Sequence, residues 1–294
     1  MAISAYHPEP VPASLDESIV VGSGTRCWVW GDPEATTTVI AVHGFRGDHH
    51  GLLPIVARLH GYRVVTPDLP GFGESAPFDQ GSHDVAGYAK WLTELCARWQ
   101  DGNRLILLGH SFGSVISAAA VAGGLQPDAL VLINPIAAPA LSGPTAVMSK
   151  IAVGYYKLGA ALPERLGRTL LANRLIVRGL SEVMAATDDP QLRAWIHDQH
   201  HRYFSNFADR GVVVQAFEAS VSHDVGEYAD RIAVPTLLIG GDRDDIVPVR
   251  AQQRLVSRLP DGQLLVLADV GHLIHYERAE AAAEMIMEFI DRRA

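Results

Sequence analysis

The sequence predicts an α/β fold: a mostly parallel sheet flanked by helices and interrupted by a helical insertion. Three observations carry this expectation. The runs 105–108 and 130–133 are apolar at every position, as strands are when helices cover both faces of a sheet. Such runs alternate with stretches of helical pattern, and strand–helix–strand alternation implies right-handed crossovers and parallel pairing. The alternation then lapses between about 135 and 230 and resumes at 234–240, leaving a helical stretch inside one α/β unit.

The first forty residues read as β. Segments 18–22, 25–31 and 37–42 are short, rich in Val, Ile, Thr and Trp, and separated by Gly/Ser or Asp-Pro turns. A helical stretch at about 50–60 leads to an extended run at 63–67. A longer helix at about 84–100 leads to a strand at 104–109, and a third at about 111–122 leads to 128–134. Inside the insertion, 211–223 sets Val213, Phe217 and Val221 on one helical face. The strand at 234–240 is followed by a helix at about 250–259, a strand at 263–267 and a terminal helix at about 278–292. The expected organisation is a core made of residues 1–135 and 231–294, with a helical insertion at 136–230.

Composition narrows the function classes. Of the 294 residues 48% are apolar and 19% charged, which excludes a mostly disordered chain. Lys+Arg 24 against Asp+Glu 33 gives a net charge of −9. No run of Lys and Arg relieves that balance, so nucleic acid and anionic lipid are not expected partners. Two cysteines, Cys27 and Cys96, cannot form a disulfide framework and read as buried reduced thiols. The N-terminal segment has no basic start followed by an apolar run, so no secretory signal is expected and the expected location is cytoplasmic. His110, Asp128 and Asn134 interrupt the apolar region 105–141, which therefore reads as core and not as a membrane span. Oligomeric state is left open.

Residues 109–113 read GHSFG. A G-x-S-x-G match is weak by itself, but this one directly follows an apolar strand and opens an Ala-rich helix, as a nucleophile elbow requires. Gly109 and Gly113 permit the tight turn and the close approach of neighbouring backbone. Ser111 would then stand over the helix N-terminus, where N–H groups and dipole favour a developing anion. The competing reading is a serine that merely caps the helix. A serine hydroxyl needs a base, and His272, just beyond the last apolar strand, would share the sheet edge of Ser111. His275 reads as a packing or capping residue. A carboxylate must orient that base; the loop after the 234–240 strand offers Asp242, Asp244 and Asp245.

With these residues in hand, the chain resembles the α/β-hydrolase superfamily in its capped form, over roughly residues 15–294. The resemblance rests on VHGFRG at 42–47, PDLPGFGES at 67–75, GHSFG at 109–113, DDIVP at 244–248 and the Gly-His pair at 271–272. It implies a Ser111–Asp244–His272 triad, with Asp244 standing four residues before the Pro of its segment. Some members place the acid after the preceding strand, but this chain has Asn134 there. The resemblance further implies an oxyanion hole from the backbone amides of Phe45 and Phe112. It makes His43 and Gly44 loop supports, with Gly109, His110 and Gly113 supporting the elbow.

The expected activity is hydrolysis of a small or medium carboxylic ester, thioester or amide through an acyl-enzyme, with no cofactor and no metal. The alternatives are a C–C bond hydrolase of the meta-cleavage type, or a non-hydrolytic lyase, oxygenase or ligand receptor. Ser111 stands where dehalogenase and epoxide hydrolase relatives carry Asp. Leu273 and HGFRG depart from the Trp and Gly-rich block typical of ring-fission C–C hydrolases. Asp48, His49 and His50 suggest a metal set, but neighbouring side chains point apart, so helix-start polarity is expected instead. Arg46 is expected to brace its loop or to meet a substrate carboxylate. Residues 197–204 read as a solvated helix face, and 146–162 as a helix packed within the insertion and not a membrane-surface helix.

Overall fold

The structure, a computed structural model, describes residues 14–100, 102–139 and 146–293. The first thirteen residues of the segment read for a leader lie outside this range. Strands β1 (Ser14–Val20) and β2 (Ser23–Gly31) form a hairpin and β3 spans Thr37–Val42. A short α1 (Leu53–Val56) leads to β4 (Arg63–Pro67), α2 (Val85–Trp99) to β5 (Arg104–His110), and α3 (Phe112–Ala122) to β6 (Ala129–Ile133). Five helices follow: α4 (Ala146–Ala161), α5 (Glu164–Leu171), α6 (Arg174–Met184), α7 (Pro190–Tyr203) and α8 (Arg210–Ser222). The chain then returns through β7 (Thr236–Gly241), α9 (Val249–Val256), β8 (Gly262–Leu267), α10 (Ile274–Glu277) and α11 (Ala279–Asp291).

The eight strands form one sheet in the order β1-β2-β4-β3-β5-β6-β7-β8. Pairing is parallel from β4 to β8, and β2 joins β1 and β4 antiparallel. The wholly apolar strands behave as doubly covered strands must. Leu105 and Leu107 of β5 and Leu130 and Leu132 of β6 join the core beneath α2, α3 and α9. Their neighbours Ile106, Leu108, Val131 and Ile133 face the opposite core, under α1 and α11. This period of two sends successive residues to opposite layers. Cys27 and Cys96 are buried and unpaired, and burial pushes the Cys96 thiol up to about 12.

The helix expected at about 50–60 is much shorter. Residues His49–Leu52 form a 3-10 turn capped by Asp48, and α1 adds one turn that begins with Pro54 near its start. Gly51 and Pro54 favour a turn and a helix start over a continuous helix. Among the described residues no helix is long and apolar enough to cross a membrane.

Candidate active site

The chain leaves β3 in one direction to build β4 and in the other to build β5, so the strand order reverses between them. Open α/β sheets bind ligands at the C-terminal ends of strands at such a switch point. The loops after β3, β5, β6, β7 and β8 carry His43–Gly47, Ser111, Asn134, Asp244 and His272 respectively.

Ser111 occupies the turn between β5 and α3 at φ 51° and ψ −118°, a conformation that L residues avoid. Its side chain makes no capping bond to the helix, which disposes of the capping reading. Instead Ser111 Oγ lies 2.8 Å from His272 Nε2. The turn is possible because Gly109 and Gly113, two residues to either side, carry no side chain. A Cβ on Gly113 would stand 2.3 Å from the Val42 carbonyl oxygen, and one on Gly109 would stand 2.5 Å from that of Gly113.

Behind His272, Nδ1 lies 2.9 Å from Asp244 Oδ2. The other oxygen of Asp244 accepts the amides of Ile246 and Val247, each at 2.9 Å. Asn134 Nδ2 donates to Asp244 Oδ2 at 2.9 Å and to the Gly271 carbonyl at 3.1 Å. Burial pushes the Asp244 carboxyl up, but His272 and these donors together hold it below the ordinary carboxylate value. Of the three acids in this loop, Asp244 alone meets His272. Asp242 Oδ1 accepts the Val270 amide at a long 3.4 Å. Asp245 makes no side-chain hydrogen bond or ion pair among the described residues.

The loop after β3 closes over the serine, with an ideal Cβ on Gly44 reaching 3.1 Å from Ser111 Cβ. His43 Nδ1 donates to the Gly44 carbonyl at 2.8 Å, and Nε2 accepts the Leu69 amide at 2.9 Å. Both ring nitrogens are therefore occupied, as suits a supporting residue, and burial lowers its pKa. No acceptor meets the Phe45 or Phe112 amide among the described residues; the latter opens α3, where the first N–H groups lack helical partners. Phe45 packs against Phe72, Tyr156 and Phe217 at ring distances of 6.1, 5.7 and 5.8 Å, so core and insertion share one aromatic wall.

His110 and His275 are buried beside the serine turn with rings 4.1 Å apart. Burial, aided by His272, pushes His110 down to about 3, and burial likewise drives His275 well below its ordinary value. His275 is thus a buried packing residue, one of the two roles expected of it.

Two readings need correction. Residues 197–204 are not simply a solvated face: His197 and His200 are buried, and each places Nδ1 near the Ser181 hydroxyl, at 2.6 and 2.7 Å. Nor do Asp48, His49 and His50 diverge, because their ligand atoms lie within 4.8 Å of one another. The 3-10 turn, not a strand or a full helix, brings them together. However, His49 Nδ1 meets Asp68 at 3.0 Å and His50 Nδ1 meets Asp48 at 3.1 Å. The rings also lie face to face in series, Trp28–His49–His50–Tyr203, at centroid separations of 3.4, 3.9 and 3.9 Å, the outer pairs stacked and the two histidines tilted by 36°. Such a stack presents faces, whereas a metal needs ring nitrogens converging edge-on.

Three pairings were not visible in the sequence. Asn134 holds the acid, Arg46 reaches the insertion, and Asp68 ties loops together through the amides of His49 and Glu74 at 2.7 and 2.8 Å. The sequence marked Asn134 by its position after a strand, Arg46 as a loop brace and Asp68 within a motif block, but it named none of their partners.

Comparison with known proteins follows the same lines. Lipase 1 of Psychrobacter immobilis is 24% identical over 94% of this chain and 81% of its own length. A 2-hydroxy-6-oxononadienedioate/2-hydroxy-6-oxononatrienedioate hydrolase of Cupriavidus pinatubonensis is 28% identical over 86% of each chain. Among solved structures, a thermophilic esterase from Thermogutta terrifontis superposes with a TM-score of 0.72 at 21% identity, covering 96% of this chain and 99% of that one. The enol-lactonase of Burkholderia xenovorans gives 0.73 at 20% identity, covering 94% and 100%. These two show a shared fold. The model of the alpha/beta hydrolase family matches residues 39–285. Because that match runs from within β3 into α11, and so takes in all the parallel strands and the loops at their C-terminal ends, the chain belongs to the alpha/beta hydrolase family.

Proposed function

We propose that the protein is a serine hydrolase that cleaves a small or medium carboxylic ester, thioester or amide through an acyl-enzyme. The 2.8 Å contact between Ser111 Oγ and His272 Nε2, with Asp244 behind the imidazole, is the observation that carries this reading. Ser111 attacks the acyl carbon while His272 takes the hydroxyl proton. Asp244 keeps the proton-bearing Nδ1 turned away from the serine and stabilises the imidazolium. The amides of Phe45 and Phe112 receive the oxyanion, and the N-terminus of α3 adds its partial positive charge. His272 then returns the proton to the leaving group, and a water that it deprotonates releases the acid.

In this reading α4–α8 act as a cap over the nucleophile, excluding water and limiting the acyl group. Phe45, Phe72, Tyr156 and Phe217 would give the acyl pocket an apolar wall. The proposed setting is cytoplasmic, in keeping with two buried unpaired thiols.

A second reading, C–C bond hydrolysis, draws on the similarity to the 2-hydroxy-6-oxo dienedioate hydrolase. Single-turnover assays with p-nitrophenyl acetate and butyrate, run beside a vinylogous 1,5-diketone substrate, separate the two. The ester reading expects p-nitrophenol release that disappears in Ser111→Ala. Release equal in both proteins rejects it, and turnover of the diketone alone moves the assignment to C–C cleavage.

A further inference from the structure

Arg46 is only 1% exposed and stands at φ 62°, left-handed for a residue that carries a side chain. No carboxylate among the described residues forms an ion pair with it. Its guanidinium is met instead by the helical insertion. Nε donates to the Phe204 carbonyl at 2.9 Å, and Nη1 donates to the Tyr156 hydroxyl at 3.1 Å. Nη2 donates to the Leu171 carbonyl at 2.8 Å and to Ser205 Oγ at 3.3 Å.

The positions of these acceptors explain how a buried charge is tolerated. Leu171 is the last residue of α5 and Phe204 is the C-cap of α7. The C-terminal carbonyls of a helix lack N–H partners and carry the negative end of its dipole. Two such ends converge on one guanidinium, and the rings of Phe204 and Phe207 lie 5.1 and 5.6 Å from its carbon. Tyr156 adds α4 to the set. A planar fork can hold three helices at once, whereas a lysine ammonium in its place would be a point charge on a flexible stem. With four donors committed to the protein, Arg46 is not a free receptor for a substrate carboxylate.

The same residue directly follows Phe45. Its loop is tied inward by His43, through the Leu69 amide and the Gly44 carbonyl, and turned by the Gly47 amide bonding back to Gly44 at 3.1 Å. Outward, the Arg46 side chain ties it to α4, α5 and the end of α7. A left-handed non-glycine backbone persists where its surroundings over-determine it, and these bonds do so on both sides. We propose that Arg46 is a positioning residue that seats the insertion and fixes the Phe45 amide over Ser111 together. The oxyanion donor is then in place only while the ends of α5 and α7 are docked. This rests on the acyl-enzyme reading above.

The test compares wild type, Arg46→Met and Tyr156→Phe by three measurements. These are steady-state hydrolysis of p-nitrophenyl butyrate, inhibition by an aliphatic trifluoromethyl ketone whose serine adduct bears an oxyanion, and hydrogen exchange across 168–172 and 200–208. Arg46→Met should lower kcat about 10–100-fold, because a misplacement on the order of 1 Å costs up to about the upper figure. KM should stay within about threefold, the pattern of an interaction made in the transition state. Affinity for the ketone should fall in parallel with kcat, and exchange should quicken in both segments.

Tyr156→Phe removes one of the four bonds and keeps the ring, so it should show the same pattern several-fold weaker; it carries the test if Arg46→Met does not fold. Unchanged kcat and ketone affinity in the folded variants overturn the proposal. So does a rise in KM alone, which would mean that Arg46 only shapes the substrate site. If the acyl-enzyme reading itself is wrong, wild type shows no Ser111-dependent turnover. The exchange measurement then still decides the seating, and protection unchanged in both segments rejects it.

Discussion

At the scale of single residues, the Ser111–His272–Asp244 chain depends on which carboxylate meets the imidazole. Asp244 does so with its lone pairs filled from four directions, by His272, Asn134 and two amides. Asp242 and Asp245 do not. Asp244→Asn should therefore lower turnover by about 10⁴, the scale seen when a triad acid becomes an amide and the base takes the wrong tautomer. Asp242→Asn should change it little. Single-turnover rates on both variants check this, and the reverse ordering would move the acid. Ser111, His272 and Asp244 were legible because each sits at a fixed offset from glycines or a proline in its own loop. Arg46 was not, because its acceptors lie more than a hundred residues away, and a sequence window sees no such pairing. Asn134 was legible only as an absence of charge; its work as a donor to Asp244 needed the fold.

At the scale of elements, the strand–turn–helix unit around Ser111 is built by close backbone approach. Gly113 lies so near the end of β3 that a Cβ would collide with both the Val42 and His43 carbonyl oxygens, at 2.3 and 2.7 Å. Gly113→Ala should push α3 away from β3 and carry Ser111 off His272. The expected result is a loss of about 1–3 kcal/mol in stability, typical of overpacking, with turnover falling further than the melting temperature would suggest. Urea denaturation with p-nitrophenyl butyrate turnover measures both; an unchanged variant would show that the turn has slack. The doubly covered strands were the most legible elements, since burial on both faces makes every position apolar. The 50–60 helix was over-read because the apolar residues around Gly51 and Pro54 mimic a helical period. The buried edge of α7 was missed because His197 and His200 are polar by type and are hidden by distant partners, Ser181 of α6 for both and Tyr276 for His200.

At the scale of the whole molecule, the insertion is stitched to the core at several separate places. Arg46 is one. Phe72 and Phe207 form a bridge next to the amide of Gly73 bonding to the Asn206 carbonyl, and Glu277 accepts the amides of Ala186 and Thr187. Between these lies an unusual load of buried neutral histidine. Desolvation pushes His43, His110, His200 and His275 below the ordinary value of 6.5, His110 and His200 to about 3. Unfolding exposes all four to water. Below pH 6.5 the unfolded chain then binds protons that the folded chain refuses, so stability falls as pH falls from there toward the lowered folded values. Each group contributes at most about 1.4 kcal/mol per pH unit in that window. Carboxylates such as Asp244, held below their ordinary value of 3.8, add their loss only at lower pH. Urea midpoints should therefore drop steadily from pH 7 to pH 5, before the acids titrate. A flat midpoint over that range would mean that these histidines are hydrated in the folded chain.

The most direct test of the central claim is peptide mapping by mass spectrometry after treatment with a fluorophosphonate. A single covalent adduct on Ser111 is predicted, formed quickly in wild type and lost in His272→Ala, because the hydroxyl is nucleophilic only with its base. An adduct on any other residue, or labelling of Ser111 at an equal rate without His272, would contradict it.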